Sequence, residues 1–152
     1  MSDLPGGRGW VIDGATQLPR IVDLPEFRRG LADDPHRDAV EALWCGRPAD
    51  AARLLGGRER TVRVRALLAD CSRDLGDLET ARKDYVVLVA ECEGTPWEAV
   101  MRQHLGKVLF TAGRPEEAAE QFARALELRE LAGADESLLA SSRRALEVAR
   151  AE

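Results

Sequence analysis

From about Pro35 onward, apolar residues recur every three or four positions with charged residues between them, the pattern of helices that each bury one face. Interruptions in that pattern separate the elements. The first predicted helical pair runs from His36 to Cys45 and, after a turn at Gly46, from Pro48 to Leu55, with Gly56-Gly57 closing it. The second runs from about Glu59 to Leu75, turns at Gly76 and continues from Leu78 to about Cys92. Thr95-Pro96-Trp97-Glu98 opens the third: Thr95 caps, Pro96 takes the first helical position, and Glu98 reaches back to the Thr95 amide. That helix turns at Gly113, its mate runs from Pro115 to about Leu131, and a last helix covers roughly Glu136 to Ala151. The last helix is rich in Arg and Glu and poor in large apolar side chains, as a terminal cap must be.

Residues 1–22 read differently. Glycine and proline punctuate them, and Trp10, Val11, Ile12, Leu18, Ile21 and Val22 form short clusters without a helical period. The expectation is an N-terminal arm over 1–22, extended in part and turning at Asp13-Gly14, ahead of a helical domain over 23–152. Asp23 reads as the cap of a short helix, Leu24 to Arg29, interrupted at Gly30.

The turns repeat themselves. Gly46-Arg47-Pro48-Ala49-Asp50-Ala51-Ala52 returns as Gly113-Arg114-Pro115-Glu116-Glu117-Ala118-Ala119, with Gly76-Asp77-Leu78-Glu79-Thr80-Ala81 between them, at intervals of 30 and 37 residues. A helical repeat of about that length is the mark of stacked hairpins. Each glycine falls where a helix must end in a left-handed residue. Ala69 and Gly106 on the first helices, facing Ala81 and Ala118 on the second, let helix axes approach closely. Tyr85 and Phe122 lie one turn beyond those alanines, placed to plug the gap to the next hairpin.

The third hairpin, with Leu105-Gly106-x-x-Leu109, Gly113, Ala118-x-x-x-Phe122 and Ala125, resembles the tetratricopeptide repeat family. The second gives Leu68-Ala69, Gly76, Ala81-x-x-x-Tyr85 and Leu88, and the first gives Ala39, Gly46 and Ala51-x-x-x-Leu55. The resemblance covers about residues 35–131. It departs from the family where Arg65 and Arg102 replace the starting Trp. It implies an all-α fold, an α-α superhelix of about three such hairpins plus a C-terminal capping helix. It also implies that the first helices line an inner wall, with Trp44 in the first hairpin, Asp70, Arg73 and Asp74 in the second, and Gln103, Lys107, Phe110 and Thr111 in the third. Some family members hold a chaperone's C-terminal carboxylate with Lys, Asn and Arg on these positions; that set is absent here.

Composition narrows the functional classes. The net charge of −5 disfavours a phosphate-backbone partner such as nucleic acid. Only Lys83 and Lys107 among the 22 basic residues are lysine, a bias that points to a GC-rich, bacterial genome. No apolar run nears the roughly 18 residues of a membrane span, and the first residues do not read as a secretory signal, so the expected location is cytoplasmic. Cys45, Cys71 and Cys92 have neither disulfide nor zinc spacing. His36 and His104 are the only histidines, and no nucleophile–base set or phosphate loop accompanies them. The expectation is a noncatalytic protein–protein interaction module without cofactor or metal: an adaptor, a regulatory subunit or a chaperone-like peptide holder. Its partner would be a protein or peptide segment, with a homodimer through the arm or the end faces as a further option. The alternative is a helical sensor that encloses a small ligand between hairpins; an enclosed apolar pocket would favour it.

Overall fold

A computed structural model describes residues 1–152 and holds eight helices and one small sheet. The chain forms two compact units, Met1–Asp77 and Leu78–Glu152. The fold is all-helical outside the first 22 residues, as the apolar periodicity predicts.

Those first 22 residues are a three-stranded antiparallel meander, β1 (Leu4–Gly7), β2 (Trp10–Ile12) and β3 (Pro19–Ile21), in the order β1-β2-β3. Strands this short carry too few residues for alternation to be visible, so the arm looked irregular in sequence. The β2–β3 connection is built by Asp13, whose carboxylate accepts from the Ala15 and Thr16 amides, both at 2.9 Å. Such a side chain imitates a backbone turn. Gln17 closes the loop in the left-handed region at φ 61°, its buried amide donating to the Gly14 carbonyl at 2.9 Å. Gly9 ties the meander down: its carbonyl accepts from Val22 and Asp23, and a Cβ there would lie 2.4 Å from the Phe27 nitrogen. The Trp10 ring meets Trp44 at a centroid distance of 4.7 Å. The arm therefore belongs to the first unit instead of standing apart.

In that unit α1 (Leu24–Gly30) is capped by Asp23, which accepts from the Glu26 amide at 3.1 Å. α2 (Arg37–Trp44), α3 (Pro48–Leu55) and α4 (Val62–Asp74) follow, with α3 packed on α2 and α4 on α3. Phe27, Val40, Leu43, Leu55, Val64 and Leu67 form the core, with Trp10, Ile21 and Trp44 at its margin. Forked Arg–carboxylate pairs clamp the ends: Arg63 on Asp34 at 2.5 and 2.7 Å, and Arg28 on Glu41 at 2.6 and 3.2 Å. Each arginine holds its acid below the usual carboxylate range.

The second unit contains α5 (Leu78–Glu91), α6 (Trp97–Thr111), α7 (Pro115–Leu131) and α8 (Glu136–Arg150), again packed in chain order. α6 begins one residue later than expected. The Glu98 carboxylate accepts from the Gly94 amide at 2.9 Å and from Arg102 at 2.7 Å, so the box closes on Gly94 and not on Thr95. Phe122 is also placed differently: its ring lies against Gly106 of its own hairpin, where an added Cβ would sit 2.5 Å from Cε1. A glycine in mid-helix costs about 1 kcal/mol; here it makes room for a buried phenyl ring worth more than that.

The repeated heptapeptides fold alike. Gly46 and Gly113 have φ of 80° and 73°, and the following Arg47 and Arg114 have ψ of 62° and 64°. In both, the glycine amide returns to the carbonyl three residues back and the arginine amide to the one five back, which is the Schellman pattern. The same two bonds recur at Gly76-Asp77 and at Gly133-Ala134. Four helices thus end in one geometry.

Candidate binding cleft

The first unit holds an open cleft of about 410 Å³ between the meander and the end of the first hairpin. Leu18, Pro19, Leu43, Trp44 and Pro48 supply its apolar lining, and Asp13, Arg20, Arg73 and Asp74 supply charge. Asp13 stays ionised because the Thr16 and Ala15 amides hold its carboxyl low, helped by Arg20. Arg20 is half-exposed, 3.6 Å from Asp13 and paired with Asp3. The cleft is therefore a fixed apolar strip bordered by both signs of charge. That arrangement suits an extended peptide with an apolar anchor and flanking charged residues.

Three of the eight sequence-derived positions meet here, Trp44, Arg73 and Asp74, though not as free groups. One side of Trp44 is taken by Trp10 and by Phe27, the latter at 5.6 Å. Arg73 is 4% exposed, its Nη1 donating to Asp70 at 3.1 Å and its Nε to Asp74 at 2.8 Å. It was expected as an accessible cation; instead it anchors a buried ion cluster with Asp70, which is also buried. Asp74 is exposed, with one carboxylate oxygen engaged by Arg73. Next to them the Cys71 thiol is buried, and burial with the nearby aspartates pushes it up to about 11, so it is no nucleophile at neutral pH.

The other four positions are in the second unit. Gln103 and Lys107 are buried, Phe110 is half-buried and Thr111 is exposed, its hydroxyl donating to the Lys107 carbonyl at 2.8 Å. Gln103 was expected on an open wall; its Oε1 accepts from Ser142 of α8 at 2.8 Å, so the capping helix covers it. His104 stacks on Tyr85 at 5.6 Å, and His36 Nδ1 lies 3.0 Å from Arg58. No group of three His, Cys, Asp or Glu side chains is placed to hold a metal ion.

Sequence reasoning missed the meander's contribution to the cleft: Asp13, Thr16, Leu18, Pro19 and Arg20. The signal was the Asp13-Gly14-Ala15-Thr16 turn followed by Pro19, which marks a chain reversal and hence a return strand. No family model matches the chain, and no curated protein or solved structure shows significant similarity to it. No helix is long and apolar enough to cross a membrane.

Proposed function

We propose that this chain is a noncatalytic protein–protein interaction module of tetratricopeptide-like hairpins, and that the first unit's cleft receives an extended segment of its partner. One observation supports the reading most: the same glycine-ended turn closes α2, α4, α6 and α7, as expected of a chain built from related helical units. Repeat units of that kind present surface side chains for recognition. The cleft adds a place for it, with a preformed apolar floor and charges of both signs within reach of one bound peptide. An adaptor or a chaperone-like holder works in this way, and it needs no reactive side chain.

The test is selection of peptides from a random display library on the purified protein. Peptides that share an apolar anchor, bind Asp74→Asn and Arg20→Glu variants at least about tenfold more weakly, and bind Glu136→Lys unchanged support the reading. Arg20 and Glu136 are exposed or half-exposed, and Asn at position 74 keeps an acceptor for the buried Arg73, so these variants spare the core. Selected peptides indifferent to both cleft substitutions would remove the cleft from the proposal.

A further inference from the structure

Arg129, near the end of α7, keeps only 7% of its surface exposed. Its Nη1 donates to the Leu138 carbonyl at 3.1 Å and to Ser142 Oγ at 2.7 Å, both neutral acceptors. Its Nε and Nη2 make no bond within the protein, and no carboxylate pairs with it. Burial draws its proton affinity down with no acid opposing the shift. Ser142, fully buried, donates in turn to Gln103 Oε1 at 2.8 Å. The Gln103 amide nitrogen is left as a buried donor without an acceptor, on a side chain 3% exposed.

At the junction of α6, α7 and α8 there is thus an excess of donors and one full positive charge that nothing in the unit neutralises. Buried ions are stable only when paired, because an isolated charge loses its hydration with no return. What is missing is one negative charge and a pair of acceptor atoms. A carboxylate supplies both, since its two oxygens match the free edge of a guanidinium. A phosphate dianion brings one charge more than the site can balance.

We propose that Arg129, with Ser142 and Gln103 behind it, is a binding site for a carboxylate. The cluster lies wholly in the second unit and stands whether or not the first unit's cleft binds a peptide. The carboxylate has two sources, an acidic side chain of a partner or a small free anion, and one experiment separates them.

The full-length ¹⁵N-labelled chain is titrated at constant ionic strength with sodium acetate, with sodium chloride, and with a terminally blocked peptide carrying a single Glu or, as control, Gln. The expected result is a saturable shift of the Arg129 Nε–H and Gln103 side-chain amide signals with acetate, absent with chloride. Arg129→Gln is expected to weaken acetate binding by about tenfold or more, the usual loss for a charged hydrogen-bonding partner. A Glu peptide that saturates at lower concentration than acetate, with the Gln peptide inert, supports the site and assigns it to a partner's side chain. Saturation by acetate alone supports the site and assigns it to a free anion. Shifts that are linear, or equal in chloride, overturn the proposal, as does undiminished acetate binding by Arg129→Gln. Should that variant not fold, the wild-type titration decides alone.

Discussion

Arg73 in the first unit and Arg129 in the second are buried to a similar degree, yet their surroundings are opposite. Arg73 has two aspartates in contact, one of them buried with it. Arg129 has a carbonyl and a hydroxyl. A buried guanidinium with acids around it is part of what holds its helix in place. One with only neutral acceptors is bound less firmly and keeps a free edge for a ligand. The difference separates a structural ion from a receptive one, although both sit near the ends of helices that close in the same glycine turn.

Removing each side chain is the strongest way to break that comparison. Arg73→Met leaves Asp70 buried without its guanidinium partner and is expected to cost about 3–5 kcal/mol. Arg129→Met removes an unneutralised charge while taking one of two donors from the Leu138 carbonyl and leaving one serine lone pair unfilled, opposing effects that leave a net loss of about 1 kcal/mol or less. Urea unfolding of both variants measures the gap. Equal losses would mean that Arg129 is as structural as Arg73, and would leave the carboxylate site without its premise.

The next effect concerns the meander, which only the first unit has. Trp10 is partly buried against Trp44, so Trp10→Ala is expected to cost about 2 kcal/mol, below the range for fully buried tryptophans. Deleting residues 1–22 should lower the melting temperature further, because it also uncovers Trp44 and the edge of the Phe27 core. A melting curve unchanged by the deletion would show that the sheet merely rests on the helices. The deletion itself takes away about half the cleft's wall, so peptide binding should be lost whatever the melting curve does.

The longer helices, α4 to α8, were legible because each spans several turns, enough for the apolar period to stand out, and the shorter α2 and α3 because Gly46 and Gly56 mark their ends. α3 and α7 begin and end where the sequence predicts, since proline opens both and a glycine lies just beyond each end. The meander was hidden because its strands are three or four residues long, so the turn at Asp13-Gly14 was legible but the strands on either side of it were not. The site was harder still. Helical spacing tells which residues share a face, but not which neighbour covers that face, and Gln103 is covered by Ser142 of a helix far along the chain. Gly106 shows the same limit. The sequence marks it as small, and the Phe122 ring packed against it is the reason. Gly106→Ala is expected to cost about 1–3 kcal/mol despite the better helix propensity of alanine. Adding Phe122→Leu should recover part of that loss, a coupling that a double-mutant cycle measures. Additive effects would mean that the ring moves aside freely.

The smallest effects sharpen the comparison at its most repeated element. Gly46 and Gly113 hold nearly the same φ, and a Cβ at either would meet nothing within 4 Å. Substitution by alanine therefore brings no clash, only the strain of placing an L-residue in the left-handed region, about 1 kcal/mol at each site. The two losses should agree within about 0.5 kcal/mol, the margin for independent sites, because one backbone geometry sets both. Asparagine, which tolerates that region better, should recover part of the loss in each case. Unequal losses would show that the two heptapeptides share letters and shape but not energetics. The turn would then depend on its own unit's packing, and the idea that each hairpin is a copy of one stable design would fail where it looks strongest.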